Sequence, residues 1–174
     1  MTTTWTDDRP SWWSDAVRGA IAGAVATWFM DLVTTGVQAS QSGQDAAREL
    51  AARPNGQSST ANLVDLLVDR LDLDVDESTR STAAQVAHYA LGVAPGAAYG
   101  VLRSRLPAVG AWRGVLYGLA IFALNDEWMN AALELSGPPD AYPASSHLRG
   151  AVGHLALGLV TDAGLDVLGA SRPA

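Results

Sequence analysis

Apolar residues along this chain are gathered into long runs, and polar or charged residues separate those runs. The clearest run is residues 81–102, a stretch of 22 residues without a charge between Arg80 and Arg103. As an α-helix rising about 1.5 Å per residue it would span about 33 Å, enough to cross the hydrocarbon core of a bilayer. The pattern therefore predicts a membrane-spanning helix at this position.

Three further runs are similarly long but contain charged residues: 16–38, 108–135 and 146–169. Tryptophans stand near the ends of the runs, as is typical of membrane interfaces: Trp12, Trp13, Trp28, Trp112 and Trp128. We interpret residues 1–174 as a single all-α domain, an integral membrane four-helix bundle in contact with the lipid bilayer. A water-soluble Ala/Gly-rich bundle is the alternative, but the uncharged run has no polar face to offer to water.

Small residues at four-residue spacing mark one face of each predicted helix. Steps of four stay on one side of an α-helix, and glycine there lets helix backbones approach closely in lipid. The glycines are Gly19 and Gly23; Gly92, Gly96 and Gly100; Gly114 and Gly118; and Gly150 and Gly158. They predict tight helix packing, and small-residue faces left over would allow a homo-oligomer or docking to a larger membrane complex.

The arginines predict the orientation, because short cytoplasmic loops of membrane proteins are enriched in them. Arg103 and Arg105 follow the second predicted helix, and Arg18 stands at the start of the first. This distribution predicts a multi-pass protein with both termini in the cytoplasm. The long connection, residues 39–80, then lies outside and is expected to contain a short amphipathic helix at 62–71.

Charge and composition narrow the classes of function. The chain has 11 basic residues against 18 acidic ones and a net charge of −7, which with no basic stripe excludes a nucleic-acid partner. It has no cysteine, so a metal site would have to use histidine and carboxylate ligands. Phosphate-binding loops, dinucleotide fingerprints and nucleophile elbows are absent from the sequence, so an enzyme is not the favoured class.

Four ionisable residues fall at one depth of the predicted bundle. Asp31, His88, Asp126 and His154 each lie on the glycine stripe of their helix, roughly 10–14 Å below the outer surface at about 1.5 Å per residue. Because ionisable groups in a membrane cost at least about 2.5–3.5 kcal/mol, they normally face the bundle interior and one another. These four are the candidate site. Glu127 is adjacent and is added to the ion or proton cluster, but on an α-helix it points about 100° away from Asp126, toward water, the outer cap or Arg149.

Three interpretations of this cluster remain open. The first is structural, with His and Asp pairs bridging the helices. The second is ion or proton handling by desolvated carboxylates and histidines. In the third, Asp31, His88, Asp126 and His154 bind a divalent metal such as Zn or non-haem Fe, or the two histidines are axial ligands of a b-type haem in a redox subunit.

Two further charged positions carry structural expectations. Asp162, near the cytoplasmic end of the last helix, is expected to pair with Arg18 or Arg113. His147 is expected to be a loop or interface residue. Neither position enters the candidate site.

Short motifs in all four predicted helices resemble one known family. They are Trp28-x-x-Asp31; His88 followed by a Gly/Ala-rich helix through Tyr99 and Gly100; Pro107, Trp112 and Gly114; and Gly153-His154-Leu155. The pattern is similar to the YagU-like family of small bacterial inner-membrane proteins. That family has been linked to acid resistance, so the resemblance implies a bacterial inner-membrane location and proton handling. The chain departs from the family in the third helix, where Asn125 and Asp126 stand at positions that tend to carry histidine.

Overall fold

The computed structural model describes residues 11–170, and these residues form helices and turns without a strand. The fold is therefore all-α. The helices are α1 Trp12–Gln38, α2 Gly43–Ala52, α3 Ser59–Arg70, α4 Glu77–Arg103, α5 Pro107–Gly110, α6 Val115–Ile121, α7 Asn130–Ala132 and α8 Ala144–Val167. A π-helix, Phe122–Met129, joins α6 to α7, and single 3-10 turns occupy Pro54–Gly56 and Pro139–Ala141.

The third predicted helix, residues 108–135, is wrong as a single α-helix. Arg113 and Gly114 have positive φ angles of 48° and 81°, so the backbone leaves the α-helical region before α6 begins. Farther on, the π-helix interrupts the regular hydrogen bonding, and a positive φ of 58° at Glu134 lies just beyond the end of α7. The third segment is thus a composite of three short helices rather than one long one.

The prediction for residues 39–80 was incomplete. Two helices, α2 and α3, occupy this connection where one was expected, and α4 begins before it ends. Each has a side-chain N-cap, because Ser42 accepts from the amide of Asp45 and Ser58 from that of Ala61. Together α2 and α3 cover one end of the molecule, which we call the cap end.

Length and composition identify α1 as a helix able to cross a membrane, and within residues 11–170 no other helix meets the same measure. Polar side chains reduce the mean hydropathy of the rest: Glu77, Gln85 and His88 do so in α4, and Asp162 and Asp166 in α8. The sequence-based expectation of four such spans therefore exceeds what composition alone supports.

Four long helical segments pack side by side in alternating directions. Gly19 and Gly23 of α1 lie against Gly96 and Gly92 of α4, so closely that an added Cβ would collide with the opposite backbone carbonyl. The same contact joins Gly118 of α6 to the carbonyl of His154 in α8. The other predicted packing glycines also lie at close contacts: Gly100 on Asp15, Gly114 on Gly158, and Gly150 on the ring of Phe122.

Burial in this molecule is reversed from that of a water-soluble bundle. The largest fully buried side chains are Arg103, Leu165, Thr161, Asp15 and Asp162, four of which are polar or charged. Large apolar side chains are exposed instead, and one stripe of them runs along α1: Val17, Ile21, Val25, Trp28 and Leu32. Small and polar residues therefore make up much of the interior, together with a few large apolar side chains such as Leu157, Leu165 and Tyr99.

Candidate functional site

The first pair of the predicted cluster joins α1 to α4. His88 Nε2 lies 2.8 Å from Asp31 Oδ1. The pair continues the glycine contact between the antiparallel helices, because Asp31 is two four-residue steps beyond Gly23 and His88 one step before Gly92. Both side chains are about one-third exposed, at 38% for Asp31 and 31% for His88. The pair therefore bridges two helices and still reaches the surface.

The second pair joins the π-helix to α8. His154 Nδ1 lies 3.6 Å from Asp126 Oδ2 and 3.0 Å from the carbonyl oxygen of Gly150, while Asn125 donates to Asp126 Oδ1 at 2.7 Å. A proton on Nδ1 makes the hydrogen bond to the Gly150 carbonyl, whereas Asp126, at 3.6 Å, is an electrostatic neighbour and not a hydrogen-bond acceptor. In the neutral imidazole the lone pair is then on Nε2. No hydrogen bond to this Nε2 is made by any residue in the 11–170 range. His154 can thus accept a proton on Nε2.

A cavity of about 200 Å³ lies between the two pairs, and we call it the histidine cavity. Its polar wall includes Thr27, His88, Asn125, Asp126 and His154. His88 also lines the other two cavities described below, so it stands where the three spaces meet. The structure thus brings three of the four predicted residues to one cavity, and Asp31 adjoins it through His88.

The larger polar groove, of about 530 Å³, lies between α1, α3 and α4 at the cap end. Asp31 and His88 form part of its wall. Of the fourteen residues that line it, Ala61 and Ala84 alone have apolar side chains. A groove with such walls holds water, so the Asp31–His88 pair is accessible from this side.

Glu127 does not point away from the site, as the sequence suggested, but pairs with His147. Glu127 Oε1 lies 2.7 Å from His147 Nδ1, and His147 Nε2 lies 3.0 Å from the carbonyl oxygen of Pro139. Both ring nitrogens of His147 therefore have a partner, one on the π-helix and one in the 3-10 turn Pro139–Ala141. A third cavity of about 300 Å³ brings this pair together with Asp31, His88 and Asp126.

The seven-residue spacing of His147 and His154 is a sequence signal for this third pair. His147 belongs to α8 and not to a loop, and it precedes His154 by seven residues, which is two helical turns. The two histidines therefore share a face of α8. The π-helix lets neighbouring acids, Asp126 and Glu127, reach one histidine each, and π-helical turns of this kind occur frequently at functional sites.

Glu49 of α2 ties the cap to the bundle. Arg149 donates to Glu49 Oε1 at 2.7 Å, Ser146 and Gln41 donate to Oε2, and Arg53 forms an ion pair with the same carboxylate. Burial by itself raises the pKa of Glu49, but these hydrogen bonds together outweigh it and hold the pKa far below its usual value of 4.5. The carboxylate is a permanent anion that positions α8 under the cap.

Asp162 is paired differently from the sequence-based expectation. Its Oδ1 lies 2.8 Å from Arg103 Nε and accepts a hydrogen bond of 2.8 Å from the hydroxyl of Tyr99. Arg103 also binds Asp166, whereas Arg113 reaches only Asp166, at 3.6 Å. We call Tyr99, Arg103, Asp162 and Asp166 the Arg103 network. It lies at the opposite end of the molecule from the cap.

The metal alternative requires His88, His154, Asp31 and Asp126 to converge. In the part of the chain that the structure describes, no group of three or more His, Cys, Asp or Glu side chains could hold a metal ion. The cluster is arranged instead as separate histidine–carboxylate pairs around shared cavities.

No protein-family model, curated protein or solved structure matches this chain. The resemblance to the YagU-like family stays a prediction.

Proposed function

We propose that this chain is a multi-pass integral membrane protein whose histidine–carboxylate pairs bind and exchange protons through the polar groove. The proposed bundle has four membrane crossings: α1, α4, the composite segment from α6 to α7, and α8. The cap end lies on the outer side of a bacterial inner membrane and both termini lie in the cytoplasm. Arg103 and Arg105 in the short connection at the opposite end support this orientation, as does the resemblance to the YagU-like family.

The reversed burial supports the membrane setting. Each Å² of apolar surface that α1 leaves in water costs about 25 cal/mol of hydrophobic free energy. Contact between this stripe and lipid removes that cost. The buried carboxylates then meet polar partners inside the bundle, where membrane proteins place such groups. Asp15 accepts from Ser104 and Arg105, and Asp162 pairs with Arg103. The composite segment, 18 residues from Val115 to Ala132, spans about 27 Å at the α-helical rise, close to the thickness of the hydrocarbon core.

Single-cysteine labelling tests the membrane setting, because the native chain has no cysteine to contribute background. In right-side-out vesicles, an impermeant thiol reagent should label Asp140→Cys at once and Leu106→Cys only after permeabilisation. Val25→Cys on the apolar stripe should resist the reagent in both conditions. Equal labelling of all three variants would show a water-soluble protein.

Proton handling rests on one observation, the accessibility of the histidine–carboxylate pairs from one side. A pair that serves only to bridge helices needs no path to water, because its two groups satisfy each other, as Arg103 and Asp162 do in the interior. Here the Asp31–His88 pair is one-third exposed along a polar groove, and His154 turns a free Nε2 toward the adjoining cavity. Histidine is suited to this role, because its unperturbed pKa of about 6.5 allows exchange near neutral pH.

The steps follow from the geometry. A proton from the groove binds at the Asp31–His88 pair, and His88 also lines the histidine cavity. From there the proton can pass through cavity water to His154 Nε2, while Asp126 stabilises the imidazolium from the Nδ1 side. The three cavities around His88 give these pairs their access from the cap end.

The test uses vesicles that contain the purified protein with its cap end outward, and a pH-sensitive dye in the outer medium. After an acid pulse in that medium, the wild type should take up protons faster than Asp126→Asn and His154→Gln by about 100-fold, the lower end of what a positioned proton-transfer group contributes. Asp140→Asn, an exposed acid outside the cluster, is the matched control and should behave as wild type. Equal rates in all four proteins would show that the pairs only bridge helices.

A further inference from the structure

The polar groove follows one face of α4 for three helical turns. The α4 residues that line it are Glu77, Arg80, Ser81, Ala84, Gln85 and His88, which is the spacing of a single helix face. Glu77 and His88 are eleven positions apart, so this wall is about 16 Å long at the α-helical rise. The groove is therefore elongated, with the Asp31–His88 pair at one end and Glu77 at the other.

The charges along the groove leave two carboxylates available. Arg80 is engaged by Asp65 at 2.7 Å, and Gln57 donates to the other oxygen of Asp65 at 3.3 Å. Asp31 uses Oδ1 for His88, whereas Glu77 makes no hydrogen bond or ion pair with any residue between 11 and 170. With Arg80 neutralised, the groove attracts cations and has a carboxylate at each end.

We propose that the polar groove binds a linear aliphatic polyamine, with one terminal ammonium on Glu77 and the other on Asp31. Hydroxyl and amide oxygens of Ser81, Thr35 and Gln85 are the acceptors for the ammonium groups between the ends. The volume of about 530 Å³ greatly exceeds that of one bare metal ion and lies in the usual range for a small-molecule site. A cation with a bulky apolar body would need large apolar side chains around it, and Ala61 and Ala84 are the only apolar side chains that line this groove.

The proposal rests on the proposed function, because it uses the same Asp31–His88 pair. When the terminal ammonium binds the Asp31 carboxylate, the His88 imidazolium loses its counter-ion and releases the proton from Nε2 to water in the groove. No bond other than this N–H bond breaks, and one proton leaves for each imidazolium displaced. The polyamine and the proton thus compete for Asp31, and each weakens the binding of the other by the same factor.

Isothermal titration calorimetry of the purified full-length chain, with spermine as the probe, tests the proposal. Spermine should bind, and ethylenediamine, which is too short to reach both carboxylates, should bind at least about tenfold more weakly. Glu77→Gln and Asp31→Asn should each weaken spermine binding by about tenfold or more, since each removes a charged hydrogen-bond partner. Asp69→Asn, an exposed acid of α3 outside the groove, is the matched control and should bind as wild type.

Repeating the titration in buffers of different ionisation enthalpy counts the protons released. Near pH 6, spermine should release protons from the wild type and none from His88→Gln. Wild-type protein that binds no spermine, or binds it no better than ethylenediamine, would overturn the proposal, as would release of protons from His88→Gln. These results are independent of the vesicle assay. Normal proton uptake in the vesicles without spermine binding rejects the polyamine proposal alone. Spermine binding without proton uptake in the vesicles rejects proton handling alone.

Discussion

Each end of the bundle pairs a basic residue with an aspartate, but the two pairs differ in their exposure to water. At the Arg103 network, the Arg103 and Asp162 side chains are 1% and 2% exposed and lie within 2.8 Å of each other. At the cap end, His88 and Asp31 lie equally close but are about one-third exposed beside a groove. The Arg103–Asp162 pair is therefore held away from water, whereas the cap-end pair reaches it, as the proposed proton exchange requires.

The comparison shows that the N–O distance, 2.8 Å in both pairs, does not distinguish a buried ion pair from one that reaches water. A buried pair is costly to form and very costly to break, because removing one partner leaves an unpaired charge out of water. A solvent-reaching pair is cheap to form and cheap to break, and so can change its protonation state without unfolding the protein. Access to water is the variable that distinguishes the two ends.

The largest expected effect comes from breaking the buried end. Arg103→Met should lower the free energy of unfolding by about 3–5 kcal/mol, because Asp162 loses its buried counter-ion. Arg113→Met is the matched control: its side chain is 73% exposed, so its contact with Asp166 contributes roughly 0–1 kcal/mol. Reversible unfolding in detergent measures both. If Arg103→Met cost no more than Arg113→Met, the contrast between the two ends would be lost.

An intermediate effect is expected from the glycines that keep the buried end closed. Gly19→Ala should cost about 1–3 kcal/mol of stability, because its Cβ would collide with the carbonyl of Gly96. Gly36→Ala in the same helix has nothing within 4 Å of the added Cβ and should gain about 0.5–1 kcal/mol from helix propensity. Thermal unfolding of the two variants compares them directly. A gain of stability in both would contradict the close approach of α1 and α4.

The smallest effect is expected at Glu49, and it depends on pH. Because the folded pKa is lowered, the stability that this carboxylate contributes is fully present above the unfolded value near 4.5 and is lost as the pH falls toward the folded pKa. Glu49→Gln should therefore cost about 1–2 kcal/mol at pH 7, and progressively less below about pH 4.5. Unfolding curves from pH 7 to pH 3 measure this, with exposed Glu134→Gln as control. A cost that stayed constant with pH would mean that the charge of Glu49 does not hold the cap.

Local pattern was sufficient for much of the fold. The apolar run at 81–102 falls inside α4, and the predicted first helix ends at Gln38, where α1 ends. The third segment could not be predicted in the same way. The first break depends on the positive φ angles of Arg113 and Gly114. The apolar content of the sequence around these two residues is similar to that of a continuous helix, so the hydrophobic pattern does not mark the break. A π-helix is likewise a departure in hydrogen bonding that apolar periodicity does not reveal.

The candidate site shows the same division. Asp31 and His88 could be placed opposite each other because both continue a glycine stripe in steps of four, and antiparallel packing then brings them together. The partner of Glu127 could not be predicted, because His147 belongs to another helix and only the packing of α8 against the π-helix brings the two together. The prediction for Asp162 named the wrong arginines, Arg18 and Arg113, since several arginines lie near that end and only the packing selects Arg103.

The amino-acid sequence by itself determined the three long helices α1, α4 and α8, the positions of their small faces, and which ionisable residues lie at a common level. These properties are local, because they follow from helix periodicity and from the chemistry of residues a few positions apart. The tertiary structure alone decided which acid meets which base, and which of those pairs reach water. Partner and solvent access depend on the positions of several helices at once, and no single segment of sequence contains that information.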